Sequence, residues 1–312
     1  MDSLSKENRF YFMGIAIIMV ILHHLCLRFD TAWHVGSYPF SWAYWGNVGV
    51  DLFFFASVYG CCASWEHNKW WRYLHNRVER IWPQYILFLT IVLIWFYADS
   101  SILHRCKMAL YSLIGIAPIY KLGVQIEWYI PSLIMTYLLI PVLYWLMKHA
   151  NGGGQTLMLV IAILLSPKLL EWGAIYYAYQ ARIPVILCGI VAYQNRDNKP
   201  FLLKVFSFMM ILMLTTRENM MIHSMMIPLL MTSLSMIDMG NLPCKSILSY
   251  LGEHSLELFL AQTITTQFVM QRYFWVNQWV SLGIVIGMTI AFFSLFRGWQ
   301  RLYLQIVNRL TK

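Results

Sequence analysis

The chain has 312 residues, 59% of them hydrophobic and 12% charged, with a formal net charge of +9 at pH 7. Its apolar residues come in blocks of about twenty rather than in amphipathic stripes, which excludes an ordinary soluble domain and predicts an all-α membrane protein of about ten transmembrane helices. The basic excess does not point to nucleic acid, because Lys and Arg are spread over the segments between the apolar blocks and form no single basic face.

In chain order the predicted spans are 10–28, 47–65, 82–99, 128–147, 155–171, 182–195, 200–216, 219–237, 247–270 and 279–303. No small-residue cleavage site follows the first, which therefore reads as a retained helix. With the N-terminus in the cytoplasm, fifteen of the 23 Lys and Arg fall on the inner side, so both termini are expected there. No Pro/Gly/Ser-rich linker divides the chain, and residues 1–312 read as a single transmembrane domain. The longest outer segment, 100–127, holds "MALYSLIGIAPIY", expected to form an interfacial or re-entrant helix. The run Asn151, Gly152, Gly153, Gly154 reads as a flexible inner turn. Six cysteines show no metal-ligand spacing and read as small hydrophobes, so no metal is expected. Aromatic clusters such as Trp70 with Trp71, and Trp42 with Tyr44 and Trp45, fall near block ends, where interfacial belts belong.

Polar groups inside such blocks are expensive unless they are bonded or functional. His23 and His24 end the first block, and Asp51 lies near the start of the second, so a helical hairpin is expected to bring Asp51 to His24. A carboxylate on one ring nitrogen fixes the tautomer and raises the basicity of the other, as a general base requires; the plain alternative is a bonded histidine beside a capping Asp. His23, about 100° around the helix, reads as structural. Between the second and third blocks, "WWRYLHNRVERIWPQY" places Arg77 and Arg80 one helical turn apart before Pro83. Two guanidiniums there suit a phosphorylated ligand, and also suit plain contact with lipid headgroups. Further candidates are Trp128 at the start of the fourth block, Arg182 at the start of the sixth, which reads either as a ligand group or as a snorkelling cation, and Ser255, Glu257 and Gln262 in the ninth. Glu257 is expected several residues inside a spanning helix, facing a cavity or a partner.

Taken in order, "GIAIIMVILHHL" (14–25), "VGVDLFFFASVYG" (48–60), "RVERIWPQY" (77–85), "WYIPSLIMTYLLIPVL" (128–143), "RIPVILCGI" (182–190) and "LGEHSLELFLAQ" (251–262) resemble the acyltransferase-3 family of integral membrane acyltransferases. The resemblance implies a ten-helix core, an acyl-CoA donor taken from the cytosol and an acylated acceptor hydroxyl, commonly of a saccharide or glycan precursor. It implies His24 as the essential histidine, Asp51 as its carboxylate, and Arg77 and Arg80 as the inner basic motif, with Tyr85 closing that stretch on the donor side. No permanently bound cofactor is implied; acyl-CoA, most simply acetyl-CoA, is a co-substrate. Two positions depart from the pattern. The family usually has Arg or Lys eleven residues before the histidine, about 16 Å along the axis, where this chain has Met13. Arg9, one turn lower, is the expected substitute. Gln262 stands where many members have His, and cannot shuttle a proton near pH 7. The rival readings are a catalytically inactive relative kept as a binding or assembly partner, and a transporter or flippase of a lipid-linked sugar, which predicts repeats that the sequence lacks.

Overall fold

The computed structural model describes residues 6–33, 44–117, 128–172, 177–216, 219–236, 244–272 and 278–310. These form thirteen α-helices and one 3-10 turn, with no strand among the described residues. The helices are α1 (Lys6–Trp33), α2 (Val48–His67), α3 (Trp70–Trp95), α4 (Ile102–Leu113), α5 (Tyr129–His149), α6 (Gly152–Trp172), α7 (Tyr177–Gln180), α8 (Ile183–Gln194), α9 (Lys199–Thr216), α10 (Asn219–Leu234), α11 (Lys245–Glu253), α12 (Ser255–Arg272) and α13 (Gln278–Leu310); the 3-10 turn Tyr44–Asn47 leads into α2. Every predicted block is thus helical, the arrangement that satisfies backbone polar groups within one segment when lipid offers no partners. Among the described residues five helices are long and apolar enough to cross a membrane: Asn8–Leu25, Val48–His67, Trp70–Trp95, Tyr129–His149 and Trp279–Arg309. The chain is an integral membrane protein.

One apolar cluster runs from Tyr11 to Phe296, with Ile17, Phe54, Phe88, Ile130, Cys188 and Phe206 among its fully buried members. Cys61 and Cys62 are also buried as small hydrophobes, whereas Cys106 and Cys244 are exposed. The tightest contact is between α1 and α11. A Cβ at Gly14 would overlap the Leu248 carbonyl oxygen, and one at Gly252 would overlap that of Phe10, so the two backbones touch where only glycine fits.

Pro83 and Pro141 each sit inside a long membrane helix, and each removes an N–H from the helical ladder. Pro141 in α5 leaves the Tyr137 carbonyl without its donor, and the Tyr73 hydroxyl of α3 donates to that oxygen at 2.9 Å. Pro83 in α3 does the same to the Glu79 carbonyl, which accepts from Gln300 Nε2 of α13 at 3.3 Å. Trp299 Nε1 then donates to the Pro83 carbonyl at 2.7 Å. These side chains allow α3 to continue through Pro83 back to Trp70, so the expected loop before the third block is helix.

Three other expectations change. The glycine run is the first turn of α6, because Asn151 Oδ1 accepts from the Gly154 N–H at 2.8 Å and caps it. The ninth block breaks at His254 into α11 and α12, its backbone N–H closing α11 on Tyr250. The sixth block forms only the 12-residue α8, nearly all of it buried. The expected helix within 108–120 is met in part by α4, while residues 118–120 and Trp42 lie outside the described residues.

Candidate active site

The α1–α2 hairpin is set by close packing. A Cβ at Gly46 would overlap the Met19 carbonyl oxygen and the His23 Cβ, and Gly49 rests on Ala16, Met19 and Val20. The chain therefore enters α2 at the level of His23, and Asp51 lies about 7 Å further along the bundle. There it ion-pairs with Arg182, whose Nε stands 3.4 Å from Asp51 Oδ1. The Arg182 guanidinium lies 5.0 Å from the Trp128 ring, and its Nη1 donates to the Ala178 carbonyl at 2.7 Å. Asp51 is 2% and Arg182 9% exposed, so Arg182 does not snorkel; it balances a buried carboxylate. Asp51, expected to support His24, is thus gathered with Trp128 and Arg182 from two other segments.

His24 is met from α12. Its Nδ1 lies 2.8 Å from Gln262 Oε1, and Gln262 Nε2 donates to Thr266 Oγ1 at 3.3 Å. The Thr266 hydroxyl donates to the Gln262 carbonyl one turn back. His23 and His24 present their rings to each other at 5.8 Å. Gln262, a further candidate on sequence, is therefore a direct partner of the histidine.

Deeper along α1 by eleven residues, about 16 Å from the level of His24, Met13 lines a narrow cavity of about 40 Å³. Ser57, Arg80, Tyr137, Ser255 and Phe259 share its walls. Ser255 is 4% exposed and opens α12, so the helix break delivers a hydroxyl to this space. Glu257 lies buried in the first turn of α12; its carboxylate meets His254 Nδ1 at 3.4 Å and faces the positive helix end.

The three arginines expected near the donor lie close together, Arg9 within electrostatic reach of the other two, but they meet different partners. Arg77 donates to the Gly60 carbonyl at 3.3 Å, flanked by Tyr73 and Tyr137 rings at 5.5 Å each, and also borders an apolar cavity of about 210 Å³ between α3, α4 and α5. Arg9 lies against Gly60, where any Cβ would overlap its guanidinium, within electrostatic reach of Arg77 and Arg80. Arg80 alone of the three lines the cavity beside Met13, and makes no hydrogen bond or ion pair among the described residues. Tyr85 is fully buried, stacked on Phe88 at 6.0 Å, and does not line this cavity.

Ser57, Tyr137 and Thr266 escaped the sequence reading. In helices apolar all round, periodicity does not say which face turns to a cavity, and a lone hydroxyl in such a helix normally bonds its own backbone.

The family model for the acyltransferase domain of acyltransferase-3 proteins matches residues 12–297. The chain belongs to the acyltransferase-3 family. No curated protein and no solved structure matches it. The match spans α1 through most of α13, and so contains both the His24–Gln262 pair and the Arg80 cavity.

Proposed function

We propose that this membrane acyltransferase moves an acyl group, most simply acetyl, from cytosolic acyl-CoA to a hydroxyl of a saccharide or glycan precursor, with His24 as general base. The observation that carries the reading is the hydrogen bond between His24 Nδ1 and Gln262 Oε1, which holds a histidine ring in place inside an apolar helix. His24 takes the acceptor's hydroxyl proton, and the acceptor oxygen attacks the thioester carbonyl. The carbon–sulfur bond breaks, and the CoA thiolate leaves with the proton from the imidazolium. Asp51, with Arg182 and Trp128 about it, supports the acceptor side of the site.

Arg80 is the donor contact, a cation that meets no acceptor among the described residues, in a cavity also lined by Ser255. From a CoA diphosphate to its sulfur an extended pantetheine arm covers about 16 Å at ordinary bond lengths, close to the rise from Met13 to His24. This reading has ten crossings, both termini in the cytoplasm, residues 1–312 as one domain and a bacterial inner membrane as the setting.

The test uses purified protein in lipid nanodiscs with labelled acetyl-CoA and a panel of glycan acceptors. Acceptor-dependent release of CoA that disappears in His24→Ala is the expected result; equal release by both proteins overturns the reading. A second reading, a catalytically inactive relative, is favoured by Met13, which puts a thioether in the cavity wall where the family has a cation. Met13→Arg separates the two. An inactive relative gains turnover, whereas an enzyme already served by Arg80 keeps or loses its rate, because a second guanidinium in so small a cavity repels the first.

A further inference from the structure

The proton directions around Gln262 are determined by one hydroxyl. Thr266 Oγ1 lies in hydrogen-bond contact with two backbone carbonyls, those of Gln262 and, at 3.3 Å, Thr263. Carbonyl oxygens only accept, so the single Thr266 proton is committed to them. The oxygen of Thr266 can then only accept from Gln262, and the atom it meets must be the amide NH₂. The amide carbonyl oxygen is thereby turned toward His24, and an oxygen at 2.8 Å requires a proton on Nδ1. Reversing the amide would take the Thr266 proton away from the Gln262 carbonyl and leave two oxygens in contact with no hydrogen between them, a costly arrangement at a buried site.

We infer that Thr266, acting through Gln262, is a positioning residue that fixes His24 in its Nδ1–H tautomer and makes Nε2 the basic nitrogen. This rests on the reading of His24 as the base, and it gives a neutral amide a share in orienting the ring. The device has a chemical advantage at the moment of proton transfer. When Nε2 takes the acceptor's proton the Nδ1–H bond to Gln262 stays in place, so the imidazolium forms without any partner reorienting. It also does not titrate, since neither an amide nor a hydroxyl changes charge near neutral pH. A histidine at position 262 would itself exchange protons with His24.

The experiment uses the full chain in nanodiscs with ¹⁵N-labelled histidine, the His24 signals being assigned by their loss in His24→Asn. The expected wild-type spectrum has a protonated Nδ1 and a lone pair on Nε2. Thr266→Val keeps the volume but removes the acceptor, so it gives a mixture of tautomers and a fall of about tenfold in kcat for CoA release with KM for acetyl-CoA unchanged. Thr266→Ser restores both. Gln262→Glu has only acceptor oxygens, so in that background Thr266→Val no longer shifts the tautomer, which a merely structural threonine would not produce. A wild-type signal from the Nε2–H tautomer, or a Thr266→Val protein with unchanged tautomer and kcat, overturns the inference. The expected tautomers in a protein that releases no CoA with any acceptor support the positioning and overturn the acyltransferase reading, so the two fail separately.

Discussion

Arg182 and Arg80 bring the same side chain into opposite settings. Arg182 is held by Asp51, by the Ala178 carbonyl and by the Trp128 ring, and is 9% exposed. Arg80 lines a cavity and meets no acceptor among the described residues. A buried guanidinium must be balanced within the protein, and its removal leaves a carboxylate where water does not reach. A guanidinium open to a cavity has its bonding capacity in reserve for something that enters. The difference teaches that positive charge in this chain stands in two settings, one balanced by an acidic group between helices, the other open to a cavity, where we place the donor.

Breaking the first setting has the largest expected effect. Arg182→Leu leaves Asp51 without its cation and lowers stability by about 3–5 kcal/mol, read as early thermal unfolding in detergent. Adding Asp51→Leu recovers most of that loss, because an apolar pair replaces an ion pair, but it does not recover transfer. If the single variant unfolds like wild type, the pair is not what holds these segments together.

Removing the second charge should leave the fold alone. Arg80→Ala unfolds at the wild-type temperature and raises KM for acetyl-CoA about tenfold, the scale of one charge-assisted contact. An unchanged KM would place the donor elsewhere and dissolve the contrast between the two arginines.

A third cluster sharpens the comparison at the small end. Glu66 accepts from Tyr193 and, at 3.2 Å, from Tyr144, with Arg196 at 3.9 Å, but it is about a third exposed. Tyr193→Phe should therefore cost about 1 kcal/mol or less, and leave donor and acceptor kinetics unchanged. A kinetic change there would show that the α2–α5–α8 contact couples to the site.

Much of this was legible before any coordinates. Each apolar block became helix, since a run of about twenty apolar residues has no other way to satisfy its backbone in lipid. His24, Asp51, Arg182 and Gln262 stood out because a polar group inside such a run is rare and demands a reason, and Arg80 because it stands one helical turn from Arg77 between two blocks. The partners were harder to read. Spacing suggested Asp51 for His24, but not Arg182, which comes from a distant segment and ion-pairs with that carboxylate. Arg9 was the nearest cation to Met13 in sequence, but Arg80, two helices away, shares its cavity.

By itself, then, the sequence determined the membrane class, the helical segments, the family and a first set of candidate polar residues, because all of these follow from local composition and order. Tertiary structure alone decided which of those residues meet. It satisfied the carbonyls that Pro83 and Pro141 orphan by bringing Gln300 and Tyr73 to them. It broke the ninth block at His254 and delivered Ser255 to the cavity. It set Gln262, held by Thr266, against the histidine. The physical reason is common to all three: a hydrogen bond within one helix turn is fixed by local geometry, whereas a bond between helices depends on how the whole bundle packs.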